Sequence, residues 1–181
     1  MKIAIIVGGR FHAFNLAEQL NKFKVLDQLI TSYPKFYIKK NYEIDLNVVK
    51  SIFIKEIISR SIGKSELLNK YFKIDNFIID YFDKSAARLL NSDNLDVLVG
   101  WSSFSLNSFL KIKNSKCIKV LERGSTHIEF QKNILKEEYE LLGIKPRLPS
   151  NEIIDKEIQE YELSDYICVP SNFAKQSFID K

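Results

Sequence analysis

The sequence predicts an α/β protein, a doubly wound parallel sheet with helices on both faces and a helical insertion after the second strand. Three observations predict it. Five short apolar runs, at 2–7, 25–31, 95–99, 117–121 and 165–169, are bounded by charges or turn residues. Each is near-continuously apolar rather than alternating, as in "IAIIV", "VLV" and "YICV", the pattern of strands covered on both faces. Segments of helical period lie between these runs, and strands alternating with helices through right-handed crossovers make a parallel sheet.

Taken in order, the first strand closes on Gly8-Gly9-Arg10-Phe11-His12, and "FNLAEQLNKF" at 14–23 repeats apolar residues at three- and four-residue steps. The second strand is followed by 32–94, which carries no strand pattern but two or three helices rich in Ile, Phe and Tyr, among them 43–62 and 74–90. An insertion of about sixty residues is large for connecting structure alone. The third strand runs into Gly100-Trp101-Ser102-Ser103 and the fourth into Arg123-Gly124-Ser125-Thr126-His127, where Ser125 and Thr126 are expected to cap a helix over 126–142. The Gly and two Pro of "GIKPRLPSNE", 143–152, separate that helix from the next, which Ser150 or Asn151 would cap. The fifth strand ends at Pro170-Ser171-Asn172.

At 181 residues the chain fits one domain with its own core, and 45% hydrophobic residues suit a globular protein. The net charge of +4 is scattered, with no basic block or basic-aromatic repeat, so no nucleic-acid partner is expected. Cys117 and Cys168 lie in strand-like runs without metal-ligand spacing; free buried thiols in a reducing cytoplasm are expected, and no metal. The N-terminus lacks a signal-peptide core, and no run reaches the roughly 18 apolar residues of a membrane span.

Ligands of an open parallel sheet bind beyond the carboxyl ends of its strands. Both histidines, the only tryptophan and four of the six glycines fall on that edge. Gly8 and Gly9 would let the backbone turn sharply and bring its amides to a ligand, or simply make the turn. His127 is the sharper candidate for chemistry, with its imidazole at the first turn of a helix; His12 is the weaker one. Arg10 and Arg123 would hold an anionic group or pair with neighbouring carboxylates. The eight-residue spacings Glu152–Glu160 and Glu129–Glu137 read as solvated helix faces. No G-x-G-x-x-G, P-loop, D-x-D or G-x-S-x-G pattern is present.

The order "KIAIIVGGRFHAFNLAEQL", "DVLVGWSSFSL", "VLERGSTHI" and "IDKEIQEYELSDYICVPSNFAKQSFIDK" resembles the N-terminal half of the group 1, or family 4, glycosyltransferases of GT-B architecture. The last stretch is the most specific, a helix with Glu157 and Glu160, then Asp165, a strand and Ser171; 32–94 matches only loosely. The resemblance implies a Rossmann-like acceptor-side domain, 1–181, with a donor-nucleotide domain beyond Lys181, so that this chain alone is expected to be inactive. It implies a cytoplasmic, metal-independent, mostly retaining enzyme without cofactors, moving a sugar from a nucleotide-sugar donor to a glycan, lipid-linked or small-molecule acceptor. Gly8 and Gly9 would lie near the donor diphosphate and His127 near the transferred sugar. Arg10, His12, Trp101, Ser102, Arg123, Gly124, Ser125, Thr126 and Ser171 complete the candidate substrate-binding edge. Lys39, Lys40, Lys50, Lys55, Arg60 and Lys64, set among Ile and Phe, would face an anionic membrane surface or water. The alternatives are a non-catalytic flavodoxin-like ligand-binding module and, with neither its fingerprint nor an acid after "LIT", a nicotinamide dehydrogenase.

Overall fold

Residues 3–7 are apolar without interruption, and the fold puts this run where both faces are covered: all five side chains are buried. The computed structural model describes residues 1–52 and 74–181. Six parallel strands form one sheet in the order β3-β2-β1-β4-β5-β6. They are β1 Ile3–Val7, β2 Leu26–Thr31, β3 Val49–Ser51, β4 Val97–Trp101, β5 Ile118–Glu122 and β6 Tyr166–Cys168. The described helices are α1 Ala13–Lys22, α2 Lys35–Asn41, α3 Ile74–Leu89, α4 Leu106–Lys111, α5 Ile128–Leu141, α6 Asn151–Leu163 and α7 Asn172–Ile179. The fold is Rossmann-like, as its strand order requires.

From β1 the chain builds outward to β2 and β3 on one side, then returns to place β4, β5 and β6 on the other. The order therefore reverses between β1 and β4, whose residues pair from Ile3↔Val97 to Ile6↔Gly100. A crevice opens at such a switch because the connections leaving the two strands go to opposite sides. Gly8–Gly9 and Trp101–Ser102 flank it.

β3 corrects the reading of 32–94 as strandless. The expected helix over 43–62 is replaced, within the described residues, by a connection and this short strand, whose Val49 and Ser51 pair with Leu29 and Thr31 of β2. The apolar residues of "EIDLNVVKSI" sit at helical steps by coincidence: Ile44, Val49 and Ile52 are buried because the strand docks at the sheet edge. The rest of that expected helix, with Lys55, Arg60 and Lys64, lies outside the described residues. Lys39 and Lys40 are exposed, but Lys50 is tied down, its Nζ donating to Gln28 Oε1 at 2.8 Å and to the Leu89 carbonyl at 2.7 Å.

The core is contiguous from α1 through the sheet to α3 and α4, with Phe14, Leu29, Ile30, Phe82, Leu98 and Phe109 wholly buried. Gly100 is needed for close approach, since a Cβ there would run into Ser105 and Phe109 at the foot of α4. Cys117 is buried as expected, whereas Cys168, on the edge strand β6, is exposed; both are free. None of the described helices is long and apolar enough to cross a membrane.

Candidate active site

Gly8 ends β1 in a cramped position, where a Cβ would meet the Phe104 ring. Its carbonyl accepts a bond from Ser32 Oγ at 3.1 Å, which pins the turn to the end of β2. Phe11 then takes φ 37°, a left-handed conformation rarely adopted by a residue with a side chain. That turn delivers His12 to the N-cap of α1. The imidazole lies tilted against Trp101, ring centroids 5.2 Å apart, with Nε2 3.3 Å from Glu122 Oε2. Trp101 closes β4 and is buried; Glu122 closes β5 and is mostly buried. Cys168, the last residue of β6, lies beside Glu122 in the sheet register, and its thiol is pushed up first by partial desolvation and then by that carboxylate, although the residue is exposed overall. Arg10 is exposed, and the neighbouring Tyr42 and Tyr37 side chains favour its charged form.

His127 stands differently. It, not Ser125 or Thr126, is the N-cap of α5, its Nδ1 accepting from the Glu129 amide at 3.3 Å. Its ring is packed against Tyr161 and Phe178, each 5.1 Å away, and the residue is only 8% exposed. Its amide donates to Ser177 Oγ at 2.9 Å, fastening α7 to the start of α5. Burial is the main cause that lowers its pKa, Lys181 and Arg123 adding to it against Glu129 and Glu157. The expectation that this imidazole opens onto the crevice gives way to a ring enclosed by aromatic side chains.

Of the two readings open for Arg123, the structure takes the structural one. The guanidinium is buried, 3.0 Å from Glu157 Oε2, and donates to the Thr126 carbonyl at 3.1 Å, to Ser102 Oγ at 3.3 Å and to Gln131 Oε1 at 2.6 Å. Thr126 and Ser102 thus support Arg123. Gly124 is exposed with open space about it, and Ser125 is half-buried beside it. Ser171 caps α7 by accepting from the Ala174 amide at 3.1 Å. The fold thus brings Gly8, Gly9, His12 and Trp101 to the switch point and sets Arg123, Thr126 and His127 into the wall beside it.

The reading of Glu160 as solvated is reversed: it is wholly buried. It accepts from the amides of Ser103 at 2.7 Å, Ser105 at 2.8 Å and Leu106 at 3.0 Å, and so caps α4 from a distant helix. Asp83 completes the cap from α3, accepting from the Asn107 amide at 3.1 Å while Lys156 Nζ lies 2.6 Å away. Two buried ion pairs, Arg123–Glu157 and Lys156–Asp83, balance each other, leaving Glu160 as the odd carboxylate. Burial pushes its pKa up to about 8, with Asp83 and Glu157 raising it further against the Ser105 and Ser103 amides. The only signal of this in the sequence is that Glu157 follows Ile154 by three residues and Glu160 follows Glu157 by three, which puts both acids on the side of the helix that carries Ile154. Among the described residues no three His, Cys, Asp or Glu side chains gather as a metal ion would require.

No family model matches the chain, and no curated protein matches it in sequence. Among solved structures it is similar to one described as a UDP-N-acetylglucosamine 2-epimerase from Listeria monocytogenes, with a TM-score of 0.55 at 12% identity over 99% of this chain. The chain spans 41% of the length of that structure, and the likeness lies in the fold, a Rossmann-like α/β sheet.

Proposed function

We propose that this chain is the acceptor-side half of a two-domain, GT-B-type glycosyltransferase, which moves a sugar from a nucleotide-sugar donor to a glycan, lipid-linked or small-molecule acceptor. The observation that carries the reading is the switch-point crevice, where the Gly8–Gly9 turn, the strained Phe11, His12 and Trp101 meet. A glycine turn between a strand and a helix admits a ligand close to main-chain amides, and the exposed Phe11 ring offers an aromatic surface suited to the apolar face of a sugar ring. The family resemblance along nearly the whole chain and the likeness to a structure named for a nucleotide sugar point the same way. In this reading the donor nucleotide is held mainly by a second domain, and His127 and Arg123 act through the wall they fix rather than by touching the sugar.

The test uses the product of the full natural coding sequence, incubated with UDP-glucose, UDP-N-acetylglucosamine or GDP-mannose and a membrane-lipid and glycan extract as acceptor. Release of nucleoside diphosphate with label passing into the acceptor fraction is the expected result. Folded protein that turns over none of the three donors refutes the reading.

A further inference from the structure

We infer that the cleft between the first turns of α3 and α6 is a second saccharide subsite, which holds a neutral sugar residue apart from the one that reacts. Its role toward the acceptor rests on the glycosyltransferase reading; the cleft itself does not. α3 leads into β4 and α6 into β6, so both helices run against the parallel strands and begin on the carboxyl side of the sheet. Asn76 fastens the two beginnings together, its Nδ2 donating to Ser150 Oγ at 2.9 Å and to Glu152 Oε2 at 2.6 Å. Beside it opens a cavity of about 370 Å³, between Phe77, Ile79 and Asp80 of α3 and Glu152, Ile153 and Lys156 of α6.

The charges of this lining favour a neutral ligand. Lys84 Nζ lies 2.6 Å from Asp80 Oδ2, and Lys156 Nζ lies 2.6 Å from Asp83 Oδ2. The Lys156 ammonium is buried there, so the residue meets the cavity through its methylene stem. Asp80 and Glu152 repel an anion, and an entering cation must compete with Lys84 for Asp80 and with Asn76 for Glu152. A neutral ligand competes with neither, because each carboxylate has two oxygens with lone pairs to accept from hydroxyls. Phe77 then selects among neutral ligands. Its ring is 66% exposed although it borders the cavity, and it stacks on Tyr81 with centroids 6.5 Å apart. An open ring face with acceptors at its side matches a pyranose, apolar on its C–H face and hydroxylated at its rim.

α6 joins this cleft to the loops behind β4. Glu160 accepts from the amides of Ser103, Ser105 and Leu106, and Glu157 Oε1 accepts from Ser103 Oγ at 2.6 Å. Glu152 precedes Glu160 by eight residues, roughly 12 Å of helix at 1.5 Å per residue. A single sugar fills only one of the two places. A glycan chain fills both, one residue resting in the cleft while another reacts at the crevice. The acceptor is thereby narrowed to one with more than one sugar residue, free or lipid-linked.

Saturation-transfer NMR on the 181-residue chain tests the cleft, with the methyl glycosides of glucose, galactose, mannose and N-acetylglucosamine as probes. Millimolar binding of at least one is expected, weakened about 3–10-fold in Phe77→Ala and in Asp80→Asn, and unchanged in Phe173→Ala, an exposed ring on α7. Phe77 is exposed, so its removal leaves the core in place, which the amide spectrum checks. No saturation of any probe at tens of millimolar, or binding that Phe77→Ala and Asp80→Asn leave unchanged, overturns the subsite. So does a shift of the α3 and α6 amides by inorganic phosphate or methylammonium where the glycosides cause none. In the full coding product, Phe77→Ala should raise the acceptor KM about 3–10-fold with kcat and donor KM unchanged. An unaltered acceptor KM overturns the inference while the transferase reading stands. Wild type that turns over no donor refutes that reading and the acceptor role with it, while glycoside binding still decides the cleft.

Discussion

Replacing Glu160 by alanine strips three main-chain amides of their acceptor at once. The Ser105 amide is fully buried, and those of Ser103 and Leu106 are partly so. A buried donor left without a partner costs about 1–3 kcal/mol; taking ~2 for Ser105 and ~1 for each of the others gives a loss of about 4 kcal/mol. For a domain of this size that lowers Tm by roughly 8–16 °C. The damage concentrates in α4, whose six residues are too few to stand as a helix unaided, and in Ser103, held at φ 72° by the bond to Glu160. Glu160→Gln keeps one acceptor oxygen and should lose about half as much. The pair also carries a pH signature. Burial raises Glu160 from 4.5 to about 8, so the folded state favours its neutral form; that contribution is complete below about 4.5 and is lost as pH rises through about 8. The stability of wild type relative to Glu160→Gln should therefore decline between pH 5 and 8. Urea unfolding followed by far-UV circular dichroism and by the fluorescence of Trp101 measures both effects. A loss below 1 kcal/mol in Glu160→Ala at unchanged m-value, or a wild-type-minus-Gln difference independent of pH, refutes the assignment of Glu160 as the buried cap of α4.

Arg123→Met leaves Glu157 buried with no guanidinium and should cost about 3–5 kcal/mol, part of it restored in the double variant with Glu157→Gln; additive losses in the urea series would contradict the pairing. His127→Ala should cost about 2–3 kcal/mol from the lost cap and ring contacts. Because burial depresses the His127 pKa, its neutral form stabilises the fold above the ordinary 6.5 and that stability is lost as pH falls through the lower folded value. Thermal melts between pH 8 and 5 should show this acid limb in wild type and its reduction in His127→Ala. Gly8→Ala forces a methyl into the Phe104 ring and should cost about 1–3 kcal/mol, whereas Gly124→Ala, facing open space, should stay within about 0.5 kcal/mol in the same assay.

The sequence by itself determined the sheet and its working edge. Continuous apolar runs such as Ile3–Val7 can only be strands covered on both faces, and the glycines, histidines and Trp101 that follow them must then share the carboxyl edge. A helix end was equally legible where the cap is local, as at Ser150. What the tertiary structure alone decided are the pairings between residues far apart in the chain. Nothing beside Glu160 in sequence says that three amides of another segment wait for it, so its spacing from Glu152 read as a wet face. Nothing near "VVKS" marks it as a strand, because only the open edge of β2 makes it one. The roles of the histidines depend on this most. Each stands at the start of a helix with the same local chemistry, and the difference comes from what the fold lays over them: Tyr161 and Phe178 enclose His127, while His12 stays open with Glu122 at its back. Local sequence can fix backbone conformation and polarity because both act over a few residues, but burial and the partner of a charge are set by which distant elements the packed sheet brings together.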